Sequence, residues 1–347
     1  MQPTALDALP LICPCCRSAE GCATLTLAQC LVEEQGEIIE GFLRCTAPAC
    51  GQRFPIIAGV PVVLRDLAAW WSKDGEEVAP LLRNSHPLTD FLQGLDSASE
   101  RHVARLRRLS TWLQTHFGES DPLVTAYWSR LGEVAFGSSP SGGVLLDLGC
   151  ATGRFTFEGT RHHRFAVGID LDLHFVAAAA QLQRRGAIEF SRMRSLRSWE
   201  RVRYTIPAAA NTLFLVADAL DPPFIAESFD QVVALNLIDN IRYPLILLGQ
   251  MDALLKPSGS LLLTSPFTWD AASCDPAEWL ESSETPPEKI LLEILEGTIM
   301  GEMGLHYRLE QVIDRLDWVV PQQDRMRVIY SVFALLARRQ AAFVEEA

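Results

Sequence analysis

A chain of 347 residues of which 48% are hydrophobic can bury one large core and a smaller one, so we expect two or three domains. The net charge of -13 disfavours an extended nucleic-acid footprint, because surplus carboxylates repel a polyanion. No apolar run reaches the roughly 18 residues of a membrane-spanning helix, and residues 1–10 lack the pattern of a secretory signal. We therefore expect a cytoplasmic protein without a membrane contact.

Most of the cysteines lie within the first fifty residues, which indicates a metal site in a chain whose thiols stay reduced. Cys13 with Cys16 and Cys45 with Cys50 can each supply one chelating turn of a tetrahedral zinc site. Four thiolates leave no open coordination position, so zinc bound there would be structural rather than catalytic. Alternating segments between the pairs predict the two hairpin strands of a zinc ribbon, at 24–31 and 37–43.

The stretch after the second pair, RFPIIAGVPVVL at 53–64, resembles the tail of Trm112-like zinc-ribbon modules, and the resemblance covers residues 9–66. Such modules resemble proteins that activate methyltransferases, which implies a protein partner for the ribbon. The second cysteine pair of that family usually encloses two residues and here encloses four. Cys15 or Cys22 is therefore an alternative ligand.

Residues 67–141 are predicted to form a helical connector, because apolar residues recur there at intervals of three and four. The sequence GSSPSGG at 137–143 is typical of a domain boundary. Trp112, Tyr127 and Trp128 are candidates for capping a substrate pocket, with core packing as the favoured interpretation.

Beyond that boundary, the apolar residues 144–146 lead into DLGCATGR at 147–154, and a helix can start there. Gly149 and Gly153 let the backbone approach a ligand closely, because glycine has no Cβ. The loop lacks the GxGxxG spacing that binds a dinucleotide pyrophosphate. It resembles the DxGxxxG loop of class I S-adenosyl-L-methionine (SAM)-dependent methyltransferases, whose cofactor has no phosphate.

Polar residues end the next strands where such methyltransferases hold the rest of the cofactor. Strand 166–169 ends at Asp170, where a carboxylate can accept both ribose hydroxyls. The resemblance implies adenine contacts after strand 213–217 and a polar contact after strand 229–235. The expected cofactor-binding residues are Asp147, Gly149, Cys150, Ala151, Gly153, Asp170, Leu171, Asp218, Ala219 and Asn236.

Strands that alternate with helices predict an α/β, Rossmann-like, doubly wound sheet of seven strands over residues 142–347. A small β zinc ribbon at 1–66 and the helical connector at 67–141 precede it. The remaining predicted elements are a helix at 244–255 and strands at 260–264, 318–320 and 328–337.

Residues 143–270 also resemble the C-terminal methyltransferase domain of ovothiol-synthesising enzymes, which implies an imidazole nitrogen of a histidine derivative as methyl acceptor. Those enzymes carry a sulfoxide-synthase region where this chain has the cysteine-rich segment. We expect transfer to a nitrogen or other heteroatom of a small molecule or peptide. The segments that carry the likeness are 146–158, 181–186 with its insert to 207, 234–239 and 262–269.

Two other functions remain open. Methylation of ribosomal or transfer RNA would use the arginine-rich insert before the third strand, but Glu189 and Glu200 and the scarcity of aromatic residues there disfavour it. A non-catalytic protein that binds the cofactor or a partner is disfavoured by the intact glycine loop. The arginines are Arg184, Arg185, Arg192, Arg194, Arg197, Arg201 and Arg203.

Methyl transfer is an in-line displacement, so holding the acceptor near the methyl group can supply much of the acceleration. If the acceptor must lose a proton, Asp239 is the candidate catalytic base, and capping of the next helix explains this residue at least as well. Cys150 is predicted to be a small loop residue rather than a nucleophile. Weaker candidates for the acceptor pocket are Tyr243, Trp269, His306 and Tyr307.

Overall fold

The computed structural model describes residues 1–17, 22–78, 81, 88, 102–118, 121–137, 142–195, 198–207, 209–303 and 305–340. Within these ranges, the side chains at 74–77, 102–106 and 302 are not described. Much of the predicted connector, the centre of the predicted domain boundary and Arg197 lie outside the described residues.

The N-terminal segment forms a four-stranded antiparallel sheet in the order β1-β2-β3-β4, preceded by the short helix α1 (Ala5–Ala8). The predicted hairpin is present, and it turns at Gln35 and Gly36, which both have positive φ as a two-residue type I′ turn requires. The strands are β1 (Leu25–Glu34), β2 (Glu37–Cys45), β3 (Arg53–Ile57) and β4 (Val60–Pro61).

The described part of the next segment contains three helices: α2 (Leu67–Val78), α3 (His102–Phe117) and α4 (Pro122–Phe136). Helix α4 begins sharply because Asp121 accepts a hydrogen bond from the Leu123 N–H and Pro122 takes the first helical position. The buried faces of α3 and α4 include Leu113, Tyr127 and Leu131.

The predicted seven-stranded α/β sheet is confirmed. Its strands are β5 (Val144–Leu148), β6 (Phe165–Asp170), β9 (Thr212–Val216), β10 (Phe229–Leu235), β11 (Leu255–Ser265), β12 (Tyr307–Gln323) and β13 (Met326–Arg339). They lie in the order β12-β13-β11-β10-β5-β6-β9. The pairs from β11 to β9 are parallel, whereas β13 runs antiparallel to both of its neighbours. Every residue of β5 is buried, as expected for a parallel strand covered on both faces.

Helices cover this sheet at α5 (Arg154–Gly159), α6 (Leu173–Arg185), α7 (Pro244–Leu254) and α8 (Pro287–Leu295). The arginine-rich insert forms a separate hairpin of β7 (Ala187–Ser195) and β8 (Ser198–Thr205), which the sequence did not predict. The last two strands are also longer than predicted. Pairing between β11 and β13 ends at Ser265 and Phe333, so residues 326–332 project beyond the carboxyl end of β11.

The N-terminal sheet continues the central sheet at its β9 edge. The Val63 N–H donates to the Val216 carbonyl at 2.7 Å, and the Ile12 N–H donates to the Pro223 carbonyl at 2.8 Å. Asp221 pairs with two arginines of the N-terminal segment, Arg17 and Arg65. These contacts cover an edge that would otherwise expose unpaired backbone groups. Among the described residues, no helix is long and apolar enough to cross a membrane.

Candidate active site and cysteine cluster

From β5, the chain adds β6 and β9 on one side of the sheet and then β10 and β11 on the other. This change of side leaves a crevice outside the carboxyl ends of β5 and β10. The glycine loop lies on one side, and Asn236 and Leu237 lie on the other. A Cβ added at Gly149 would come within 3.0 Å of a Leu237 methyl group, and Gly149 has a φ of 71°. Glycine is therefore required at this position.

Asp147 lies beneath the glycine loop. Its side chain is buried and accepts a hydrogen bond from Thr156 Oγ1 at 2.7 Å. Burial raises the pKa of Asp147 to about 7, with a further contribution from the nearby charge of Asp170. Asp147 thus ties the end of β5 to the helix that follows the loop.

Asp170 ends β6 beside the same loop and is partly exposed. One carboxylate oxygen accepts from the Ala151 N–H at 3.0 Å, and the other accepts from the Asp172 N–H at 2.9 Å. Burial raises the pKa of Asp170 to about 6. The neighbouring Leu171 is 51% exposed, a large apolar side chain left open to solvent at the mouth of the crevice.

Two further sets of predicted residues reach the same edge of the sheet. Asp218 follows β9 and accepts from the Leu220 N–H at 2.9 Å, next to the buried Ala219. Burial also raises the pKa of Asp218. Asn236 ends β10 with a positive φ of 52°. The structure therefore brings together the strand ends that the sequence singled out.

The connector helices contribute two side chains to this edge. His116 Nδ1 on α3 lies 2.8 Å from Thr152 Oγ1 in the glycine loop. Burial, with the nearby charge of Arg154, lowers the pKa of His116 to about 3, so the imidazole is neutral. Tyr127 on α4 accepts a hydrogen bond from Asn236 Nδ2 at 3.3 Å. The sequence marked Tyr127 but missed His116, whose only signal was a histidine within an apolar helix face.

Asp239 is fully buried in the short turn Ile238–Asn240. Its Oδ2 accepts from the Thr268 N–H at 2.9 Å and from Thr268 Oγ1 at 3.2 Å. Its Oδ1 has no hydrogen-bond partner among the described residues. The alternative role as a helix cap is wrong, because Asp239 joins the turn after β10 to the loop after β11.

The other candidates lie in varied surroundings. Cys150 is buried, and burial raises its pKa well above the usual thiol value, as fits a loop residue rather than a nucleophile. Tyr307 donates to Asp252 at 2.7 Å, and Trp269 stacks on Trp279. Tyr243 precedes α7, and His306 is exposed just before β12.

The arginines of the insert are paired with acids. Arg194 pairs with Asp324 at 2.9 Å, and Arg201 pairs with Glu189 at 3.1 Å. Arg192 lies within 4 Å of both Glu200 and Asp324. Arg203 contacts Glu189, and Arg184 donates a hydrogen bond to the Ala58 carbonyl. Arg185 lies in the last turn of α6. The local positive charge is thus largely offset.

The four predicted metal ligands converge. Their sulfur atoms all lie within 4.8 Å of one another, with Cys13 and Cys50 3.8 Å apart and Cys16 and Cys45 3.4 Å apart. Tetrahedral zinc with Zn–S bonds of about 2.3 Å needs sulfur atoms about 3.8 Å apart, so the cluster fits the ion. Among the described residues, this group includes neither Cys15, which contacts the Arg65 carbonyl, nor the exposed Cys22.

Residues 146–263 match the family described as "Methyltransferase domain". The chain therefore contains a methyltransferase domain, and this match supports a SAM-dependent enzyme. No curated protein has a sequence that matches this chain.

The solved structures that are similar to it at low identity include the following three. A SAM-dependent methyltransferase from Aquifex aeolicus is 16% identical, with 69% of this chain and 100% of that chain covered and a TM-score of 0.39. A putative SAM-dependent methyltransferase from Listeria monocytogenes is 15% identical, with 62% and 99% covered and a TM-score of 0.39. A structure of the complex between the Haloferax volcanii Trm112 methyltransferase activator and a putative methyltransferase is 14% identical, with 70% of this chain and 100% of that chain covered and a TM-score of 0.41. These likenesses say nothing about the methyl acceptor.

Proposed function

We propose that SAM binds in the crevice outside β5 and β10. The observation that carries this proposal is backbone strain on both of its sides: Ala151 has a φ of 45° and Asn236 a φ of 52°. Residues other than glycine adopt this left-handed backbone conformation where the surrounding structure enforces it, and such residues cluster at ligand sites. The proposed contacts are Gly149, Cys150, Ala151 and Gly153 through the loop, Asp170 and Leu171 at the ribose, Asp218 and Ala219 at the adenine, and Asn236 at the methyl end, with Asp147 beneath the loop.

The residues around this crevice act mainly by positioning. When bound, SAM supplies an electrophilic methyl group for direct displacement. The Asp170 carboxylate would accept hydrogen bonds from the two ribose hydroxyls and so hold the cofactor along the crevice. His116 holds the hydroxyl of Thr152 without adding charge, because its imidazole is neutral. Asp239 remains the proposed base. Its Oδ1, which has no hydrogen-bond partner in the described part of the chain, is the atom that would take a proton once the turn at 238–240 opens.

The proposed acceptor is a nitrogen or other heteroatom of a small molecule or peptide, with the imidazole of a histidine derivative as the first candidate. Support comes from the elements that cover the carboxyl side of the sheet. The Met193 N–H of β7 donates to Ser110 Oγ of α3 at 2.9 Å, and Arg194 pairs with Asp324 between β12 and β13. We call this cover of α3, β7, β8 and the β12–β13 tip the roof. Its ion pairs leave little net positive charge for RNA.

Binding of S-adenosyl-L-homocysteine tests the cofactor proposal. We expect Asp170→Asn to weaken this binding by about 1–3 kcal/mol, the usual cost of losing hydrogen bonds to a charged group. Asp230→Asn is the matched control, because Asp230 lies at the opposite end of β10 and pairs with Lys256. Equal affinities in the two variants, or no binding at millimolar ligand by the unaltered chain, would contradict the proposed site.

The acceptor is identified by methyl transfer from labelled SAM to components of an extract of the producing cell. Label in a small molecule or peptide supports the proposal, and label in RNA favours the second function. Salt dependence separates the two, because RNA binding weakens steeply with salt when arginines neutralise phosphates.

We also propose that Cys13, Cys16, Cys45 and Cys50 hold one structural zinc ion. The proposal predicts about one zinc per chain and its loss in Cys16→Ser. Cys30→Ser is the control, because Cys30 is an exposed thiol outside the cluster. We also propose that the ribbon docks a protein partner. Its contacts with the β9 edge already join it to the methyltransferase domain of the same chain.

A further inference from the structure

The strained conformation of Asn236 is enforced by one neighbouring strand. Its N–H donates to the Thr264 carbonyl at 2.8 Å and lies 3.0 Å from Thr264 Oγ1. The Thr264 hydroxyl in turn donates to Asn236 Oδ1 at 2.9 Å. Thr264 is fully buried near the end of β11. The backbone and one side of the Asn236 amide are thus fixed from within the methyltransferase sheet.

The other side of the same amide is fixed from outside that sheet. Asn236 Nδ2 donates to Tyr127 Oη at 3.3 Å, and Thr264 also faces the phenol. Tyr127 lies on α4, before the residues that match the methyltransferase family, and it is only 1% exposed. Its ring packs against Trp128 and Trp318, which hold it in place.

The Tyr127 phenol cannot serve as a base under ordinary conditions. Burial raises its pKa to about 12, so the hydroxyl stays protonated. A neutral hydroxyl can hold an amide in one orientation, because it accepts from Nδ2 while Thr264 donates to Oδ1. With both ends held, one N–H and one oxygen lone pair of the Asn236 amide have no partner among the described residues and remain to meet a ligand in the crevice.

We propose that Tyr127 is a positioning residue for methyl transfer, which holds the Asn236 amide in a single orientation at the methyl end of the crevice. This inference rests on the proposed SAM site. A helix of the connector thereby contributes to catalysis, although it lies outside the cofactor-binding sheet. Displacement requires the acceptor to lie in line with the methyl group, so a loosened amide lowers turnover more than it lowers cofactor affinity.

The test compares Tyr127→Phe with Tyr307→Phe. Each variant removes one buried phenolic hydroxyl and keeps the ring, but Tyr307 bonds to Asp252 on α7 and not to Asn236. Tyr307 pairs with Arg339 toward the amino end of β11, opposite the crevice, so the structure removes it from the candidates for the acceptor pocket. Two readouts are used: the signal of SAM labelled with carbon-13 at its methyl group, and the rate of transfer from labelled SAM to the small-molecule fraction of a producing-cell extract. Calorimetry gives the affinity for SAM in each variant.

We expect Tyr127→Phe to lower the transfer rate roughly 10- to 100-fold and to shift the bound methyl signal, with SAM affinity within about 2-fold. Tyr307→Phe should change neither, even where it lowers the melting temperature more. Thr264→Val should lower the transfer rate and shift the methyl signal as Tyr127→Phe does. The double variant of Tyr127→Phe and Thr264→Val should lose no more transfer rate than the worse single variant, because the two residues act as one network. The pH profile of the transfer rate should have the same shape in Tyr127→Phe as in the unaltered chain.

An unchanged rate and methyl signal in Tyr127→Phe would overturn the inference while leaving the SAM site intact. Equal losses in Tyr127→Phe and Tyr307→Phe would assign the effect to folding and overturn it as well. Absence of SAM binding by the unaltered chain would overturn the proposed function together with this inference.

Discussion

Two aspartates near the glycine loop lie in different surroundings. Asp147 is 1% exposed and bonded to Thr156, whereas Asp170 reaches the crevice. Local sequence predicted both positions, because each lies at the end of a short apolar strand. It could not predict that His116 contacts the glycine loop or that Tyr127 contacts Asn236. Both residues lie on helices whose packing depends on contacts distant in the sequence.

We expect binding of S-adenosyl-L-homocysteine to weaken as the pH falls through about 6. The pKa of Asp170 is raised to about 6 by burial, and the protonated acid accepts hydrogen bonds less well than the carboxylate. Calorimetry from about pH 5 to about pH 8 measures this dependence. Asp170→Asn should bind weakly with a flat profile, and an equally steep profile in that variant would assign the titration to another group.

Asp147 predicts a pH effect on stability. Its folded pKa is about 7, above the unfolded value of about 3.9, so the folded state holds the proton more tightly. The contribution of Asp147 to the free energy of unfolding therefore decreases as the pH rises from about 4 to about 7. Asp147→Asn keeps an acceptor for Thr156. In this variant, the stability measured by thermal unfolding should decrease less as the pH rises. Asp314→Asn, at an exposed position, is the control, and an identical slope in both variants would contradict the assignment.

At the scale of elements, the parallel strands were predictable because each is a short apolar run that ends in a polar or glycine residue. The β7–β8 hairpin was not. Its exposed positions outnumber its buried ones, and its anchors Ser110 and Asp324 are distant in the sequence. The length of β12 was missed for a similar reason, because charged residues interrupt its alternation between 307 and 317.

Ser110→Ala tests whether the hairpin depends on the roof. Ser110 is 1% exposed and accepts from the Met193 N–H, so its loss leaves a buried donor without a partner and should cost about 1–3 kcal/mol of stability. Amide hydrogen exchange should rise in β7, while affinity for S-adenosyl-L-homocysteine stays unchanged. Ser331→Ala on the exposed face of β13 is the control. Unaltered exchange in β7 would show that other contacts hold the hairpin.

At the scale of the whole molecule, the cysteine-rich segment and the methyltransferase sheet share one hydrophobic cluster. Leu11, Leu25 and Phe54 pack in the same cluster as Leu213 and Phe224. The division of the sequence at residue 66 therefore does not separate two independent cores. The sequence could not indicate this, because each segment has a complete pattern of its own and the open edge of β9 is a property of the assembled sheet.

This shared core predicts that zinc and cofactor binding are coupled. Cys13 follows Ile12, which bonds to Pro223, and Arg65 pairs with Asp221, so the ribbon braces the loop that carries Asp218. If the cluster holds the proposed zinc ion, its removal by a chelator should unfold the ribbon and weaken S-adenosyl-L-homocysteine binding about 10-fold, or about 1.4 kcal/mol. Cys16→Ser should reproduce both effects, and Cys30→Ser neither. A zinc-free chain that binds the ligand with undiminished affinity would show that the ribbon stabilises the fold without supporting the adenine side of the site.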